Sequence, residues 1–167
     1  MSESVIHPLP PLFDANSRVL ILGTMPSPKS RQNGFYYAHP QNRFWRVLAA
    51  VCCESMPTDN QDRASFCHRH HIALWDVLHA CRIQGADDGS ICDPQPNDLR
   101  PLLAQAPIQA IFTTGSKASM LYKRYCLPVT GRPSIPLPST SPANCRFHTL
   151  ETLIEAYRAL LPYLENI

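Results

Sequence analysis

Val19-Leu20-Ile21-Leu22-Gly23-Thr24-Met25-Pro26-Ser27 sets a continuous branched apolar run directly before a small, polar, proline-containing loop. Such a run suits a strand buried on both faces, as in a parallel sheet covered by helices. Far along the chain, Ile135-Pro136-Leu137 leads in the same way into Pro138-Ser139-Thr140-Ser141-Pro142-Ala143-Asn144. In an open α/β sheet, ligands bind outside the carboxyl ends of the strands, so two such loops can face each other across one crevice. Their small residues let backbone N–H groups approach an anionic or polar ligand closely.

Outward from these loops, the pattern predicts strands over residues 19–22, 72–75 (ending at Asp76), 110–113 and 134–137. Between them, residues 41–54 carry Phe44, Trp45, Val47, Leu48 and Val51 on one stripe, which predicts a helix with Phe44 and Trp45 in the core. Further helices are expected over 62–70, from a cap at Asn97 or Asp98 to 105, over 115–125, and over 149–164 with Thr149 as N-cap. Residues 28–40 and 84–96 read as loops. Alternating strands and helices give an α/β fold, a three-layer α/β/α sandwich around a mostly parallel four-stranded central sheet.

The chain of 167 residues, 44% hydrophobic, has the size of one domain with one proper core. Its formal net charge of +2 permits nucleic-acid binding without demanding it. No apolar run approaches the roughly 20 residues that span a bilayer, and the N-terminal stretch lacks the regions of a signal peptide. A cytoplasmic protein with no membrane partner is expected. The seven cysteines include no Cys-x-x-Cys pair, and Cys67-His68-Arg69-His70-His71 is the one Cys/His cluster, so structural thiols are expected rather than a metal site. A Gly-x-Gly-x-x-Gly turn is absent after the first strand, which argues against dinucleotide binding.

Gly23-Thr24-Met25-Pro26-Ser27, Gly34-Phe35-Tyr36-Tyr37-Ala38-His39-Pro40-Gln41-Asn42-Arg43-Phe44-Trp45 and Leu137-Pro138-Ser139-Thr140-Ser141-Pro142-Ala143-Asn144 together resemble the signature of the uracil-DNA glycosylase superfamily. The resemblance is closest to its hypoxanthine (deoxyinosine) and mismatch-specific uracil glycosylase branch, and it covers nearly the whole chain as one domain over 1–167. It implies a monomeric enzyme that flips a deaminated base out of double- or single-stranded DNA and hydrolyses the N-glycosidic bond, with no cofactor, metal or covalent nucleophile.

The resemblance also implies roles for individual residues. Met25 stands where uracil-active relatives carry a water-positioning Asn or Asp, and a thioether cannot activate water. This departure favours hypoxanthine over uracil, with catalysis resting on Asn42. The Asn42 amide can donate to the base or accept from water, and Asn is also a good helix cap. Gly23, Thr24, Met25, Pro26 and Ser27 would line the base pocket, and Tyr37 would stack on the base; by their own chemistry, His39 is a candidate to bind phosphate or assist base departure, and Asp76 to accept from a purine N–H, orient water or cap the next helix. Ser139, Thr140 and Ser141 would hold phosphates, with Pro142, Ala143 and Asn144 entering the stack and Lys117 adding a phosphate contact. A damage-sensing module without catalysis is the alternative that Met25 leaves open.

Overall fold

The computed structural model describes residues 2–164; Met1 and residues 165–167, the ends of the domain expected over 1–167, lie outside the described residues. In chain order the first elements are β1 (Glu3–Ile6), β2 (Val19–Gly23), α1 (Pro28–Asn33), α2 (Phe44–Val51), α3 (Asn60–Arg69), β3 (Ile72–Asp76), β4 (Leu78–Gln84) and β5 (Asp87–Pro96). Then come α4 (Arg100–Gln105), β6 (Ala110–Thr114), α5 (Ser116–Leu121), α6 (Leu127–Thr130), β7 (Ser134–Leu137), α7 (Leu150–Tyr157) and α8 (Leu161–Leu164).

Strands β3, β2, β6 and β7 pair in that order, all parallel. Successive side chains of a strand point to opposite faces, and the burial follows that rule. Val19, Ile21, Ile72, Leu74, Ala110 and Phe112 enter one core with α2, α3 and α7. Leu20, Leu22, Ala73 and Ile111 enter a second core with α4 and α5. These two clusters, one on each face of the sheet, are the α/β/α layering expected from the apolar runs.

Helix α7 starts at the predicted cap, where Thr149 Oγ1 accepts from Thr152 N–H at 3.2 Å. Its Leu153 and Tyr157, with the following Leu160, are fully buried, each contributing about 1.5–3 kcal/mol of transfer free energy on the scale of large apolar side chains. The Tyr157 hydroxyl donates to Pro138 O at 2.7 Å, so this helix also anchors the second loop.

Several expectations are corrected. Residues 84–96 are not a loop: β5 pairs antiparallel with β4, which pairs with β1, making a second, three-stranded sheet. Strand β5 is an edge strand with bulged pairing and no buried residue, so it lacks the apolar pattern by which strands are read. Residues 28–40 contain the short helix α1, capped by Ser27 Oγ and opened by Pro28; the five polar residues after the proline give it no apolar stripe. The helix ending at Gln105 starts at Arg100, where Asp98 Oδ1, the second of the two expected caps, accepts from Arg100 N–H at 3.1 Å; Asn97 plays no part in it. Asn97 is buried and donates instead to Asp76 O (2.9 Å) and Leu78 O (3.0 Å), tying down the backbone after β3. The helix expected over 115–125 ends at Leu121 and passes through a wide π-type turn, Tyr122–Cys126, into α6.

Candidate active site

From β2 the chain moves to one side of the sheet at β3 and later returns on the other at β6. Such a reversal opens a crevice beyond the carboxyl ends of the strands. A cavity of about 330 Å³ lies there, within the range of roughly 300–1,000 Å³ usual for small-molecule sites. Gly23 at the end of β2, Asp76 at the end of β3 and Thr114 at the end of β6 line it. The sequence-derived candidates Thr24, Met25, Pro26, Ser27, Tyr37, His39, Asn42, Ser139, Thr140, Ser141, Pro142 and Ala143 line it as well. Asn144 and Lys117 do not: Asn144 Nδ2 donates to Ser139 O at 2.8 Å, and Lys117 lies on α5.

Asn42 sits two residues before α2, and its Oδ1 accepts from Phe44 N–H at 2.9 Å, so the amide does cap the helix. The same Oδ1 accepts from Thr140 Oγ1 at 2.8 Å. Two donors on the carbonyl oxygen fix which way the amide points, and the NH₂ is the end left for a ligand. Thr140 is 1% exposed, and its backbone carbonyl accepts from Arg43 N–H at 3.2 Å. Its hydroxyl is therefore committed to Asn42 rather than presented to a phosphate.

Asp76 is 4% exposed. Its Oδ2 lies 2.7 Å from His7 Nε2, while His7 Nδ1 accepts from Leu9 N–H at 3.2 Å. A ring nitrogen that accepts carries no proton, so Nε2 holds the hydrogen and donates to Asp76. The other oxygen, Oδ1, crowds Gly23: a Cβ there would lie 2.6 Å from Asp76 Oδ1 and 3.3 Å from Tyr37 Oη. Only glycine allows this approach of a carboxylate, a phenol and the Thr114 hydroxyl, 3.7 Å from the same point.

Tyr37 adopts a left-handed backbone, with φ of 53°, a conformation that costs a non-glycine residue free energy and recurs at functional sites. One ring face stacks on Phe44, with centroids 3.7 Å apart and planes 14° from parallel, which leaves the opposite face for a ligand. Its Oη is buried without a hydrogen bond of full geometry, although Thr114 is close enough to draw its pKa down. Burial, then the charge of Asp76, outweigh that and push the phenol well above its ordinary value, so it remains a donor.

In the second loop, Ser139 Oγ accepts from Ser141 N–H (3.1 Å) and Ser141 Oγ accepts from Ala143 N–H (3.3 Å). Each hydroxyl keeps its own O–H for an outside acceptor. Gly115, with φ of 90°, brings the start of α5 against this loop, since a Cβ there would meet Ser139 Cβ at 3.3 Å. Just beyond the loop, Phe147 is 74% exposed, with the Arg146 guanidinium 5.9 Å from its ring centroid. His39 Nδ1 accepts from Gln41 N–H at 3.1 Å, leaving Nε2 as its donor.

Sequence reasoning missed His7, Thr114, Asp88 and Phe147. Asp88 reaches the cavity from the hairpin joining β4 and β5, together with Ile83, Gly85 and Ala86. The alternation Cys81-Arg82-Ile83-Gln84 followed by Gly85 was the available signal for that hairpin. The cluster Cys67 to His71 disperses: Cys67 is buried, His68 pairs with Asp14 at 3.2 Å, and His70 pairs with Glu54.

A doubly wound sheet with a cavity at its switch point, lined by two hydroxyl-bearing loops, a directed amide and two carboxylates, is the arrangement of an α/β protein with a ligand site beyond its strand ends. The family model of the uracil DNA glycosylase superfamily matches residues 10–161, so the chain belongs to that superfamily. A hypoxanthine DNA glycosylase of Methanosarcina acetivorans is 34% identical over 140 residues, covering 83% of this chain and 87% of that protein. A second hypoxanthine DNA glycosylase, of Methanosarcina barkeri, is 36% identical over 111 residues, 65% of this chain and 70% of its own. The fold is similar to a solution NMR structure from Methanosarcina acetivorans that bears the provisional description uracil DNA glycosylase, with a TM-score of 0.77, 31% identity, and coverage of 92% of this chain and 96% of that one. The chain is therefore a DNA glycosylase of this superfamily.

Proposed function

We propose that this glycosylase hydrolyses the N-glycosidic bond of deoxyinosine in DNA, releasing hypoxanthine. The observation that carries the reading is the doubly held Asn42 carbonyl, which commits the amide NH₂ to donate. As the glycosidic bond breaks, negative charge develops on the leaving base, and a donor already aimed at it stabilises the transition state without reorganising. The carbonyl, being saturated, is not the group that orients water.

Recognition follows from the atoms around Gly23. Asp76 Oδ1 is an acceptor held by its partner oxygen's bond to His7, and the Tyr37 hydroxyl beside it is a donor, while the Thr114 hydroxyl donates to Leu22 O at 3.4 Å. An acceptor next to a donor complements the N–H and C=O edge created by deamination. Adenine presents the reverse pattern and leaves a buried carboxylate facing a lone pair, which costs about 1–3 kcal/mol or more. Uracil shares the deaminated edge and is therefore the second substrate to consider. Against it stands Met25, which offers no polar contact where the uracil-active relatives carry Asn or Asp.

Tyr37 stacks on the flipped base through its free face. Ser139 and Ser141 meet the flanking phosphates through their unspent O–H groups, and Phe147 with Arg146 is the exposed pair offered to the opened base stack. We read the chain as one glycosylase domain acting as a monomer on duplex or single-stranded DNA. We also read it as cytoplasmic, because its archaeal relatives have no nucleus and keep their DNA there.

The test is Asn42→Ala. Loss of base release from a deoxyinosine duplex by about 10²–10³-fold, the scale of removing one donor to a developing anion, with duplex binding retained, supports the reading. Unchanged release removes Asn42 from the mechanism.

A further inference from the structure

Hydrolysis needs a water at the anomeric carbon and a group to orient it and take its proton. Most polar groups of the cavity wall are already committed. The Asn42 carbonyl already accepts two hydrogen bonds. Met25 offers only a thioether. His39 has its accepting nitrogen occupied by Gln41 N–H, so its other ring nitrogen is a donor. Asp76 spends Oδ2 on His7, and in the reading above its Oδ1 is taken by the N–H of the base.

One carboxylate on the cavity wall is left. Asp88 lines the cavity from the tip of the β4–β5 hairpin, and as a residue it is exposed, so water reaches it. Its Oδ2 accepts from Thr24 Oγ1 at 3.4 Å, which holds the carboxyl beside the loop that carries Met25. We propose that Asp88 is the catalytic carboxylate of this glycosylase, holding the attacking water at the anomeric carbon and accepting its proton. The inference rests on the hypoxanthine reading above and adds the group that reading lacks.

The step is hydrolytic and needs no further reactant. The water oxygen bonds to the anomeric carbon as the bond from that carbon to the purine nitrogen breaks. The bonding pair leaves with the base, whose charge Asn42 Nδ2 stabilises, and the water proton passes to the Asp88 carboxylate. Before the bond to water forms, the same carboxylate faces the positive charge building on the sugar. Although the residue as a whole lies exposed, its carboxyl is drawn into the cavity wall beside Thr24, and that burial raises the Asp88 pKa, with Asp76 and Asp87 adding to the rise; the Thr24 hydrogen bond and Lys117 oppose it. A raised value makes a carboxylate a better proton acceptor near neutral pH.

Asp88→Asn in the full chain tests this, read by single-turnover release from a deoxyinosine duplex across pH and by affinity for a duplex carrying a 2′-fluoro analogue that resists cleavage. The expected result is a rate lower by about 100-fold, within the usual range of general-base catalysis, with the acid limb of the pH–rate profile gone. Affinity should be unchanged or tighter, because a negative charge near the phosphates has been removed. A rate within threefold of the unchanged chain overturns the role of Asp88, as does a loss of rate matched by an equal loss of affinity. Failure of the unchanged chain to release hypoxanthine is a different result: it overturns the substrate reading and the Asp88 proposal with it.

Discussion

Replacing Thr140 by Val removes one hydroxyl and keeps the side chain's shape, in a residue that is 1% exposed. What is lost is the 2.8 Å bond to Asn42 Oδ1. A neutral hydrogen bond of this kind is worth a net of about 0.5–1.5 kcal/mol, and the bond from Phe44 N–H remains to hold the amide. If that energy serves to keep the Asn42 NH₂ directed at the base, the rate of base release falls by about two- to tenfold, since about 1.4 kcal/mol is a factor of ten. Thermal stability falls too, by roughly 2–4 °C per kcal/mol in a domain of this size. Stability alone does not identify the role, so the assay is a double-mutant cycle with Asn42→Ala under single-turnover conditions. Thr140 acts through Asn42, so Thr140→Val should change nothing further once the amide is gone, and Thr140→Ser should retain most of the activity. The reasoning is refuted if Thr140→Val costs the same factor in the Asn42→Ala background, or if it lowers DNA affinity and leaves the rate alone. Either result would return Thr140 to the phosphates.

Two further predictions follow from the geometry. Gly23→Ala sets a methyl 2.6 Å from Asp76 Oδ1, so the carboxylate must move; stability should fall by the roughly 1–3 kcal/mol of an overpacked site, and activity on deoxyinosine should be lost, as thermal unfolding and base-release assays will show. Phe147→Ala removes an exposed ring that supports no core, so the melting temperature should stay constant while duplex affinity falls by up to the roughly 1–3 kcal/mol of one aromatic–base stack; unchanged affinity would remove Phe147 from the DNA interface.

The central sheet was legible because Val19 to Leu22 and Ala110 to Phe112 are apolar on both faces, as a covered parallel strand asks. The final helix was legible from its stripe and its Thr149 cap. The second sheet was not, because its outer strand, Asp87–Pro96, is polar and exposed on an edge and pairs through bulges. With that hairpin went Asp88, whose place on the cavity wall depends on a turn the sequence marks with Gly85 and the short alternation before it. His7 was hidden differently: its function is a contact with Asp76, 69 positions away, and no local pattern records such a pair. Thr140 was readable as a loop hydroxyl, whereas the direction of that hydroxyl is a property of the packed loop. Asn42 was read as either a catalytic group or a cap, and its amide caps α2 through the oxygen that leaves its nitrogen free.

The most direct test is single-turnover base release from matched duplexes carrying deoxyinosine, deoxyuridine or deoxyxanthosine, with alkali used to cleave each abasic product. Rapid release from deoxyinosine and little from deoxyuridine is the predicted result. Release from deoxyuridine alone would contradict the base assignment and the meaning given to Met25, and tight binding with no release from any of the three would contradict catalysis itself.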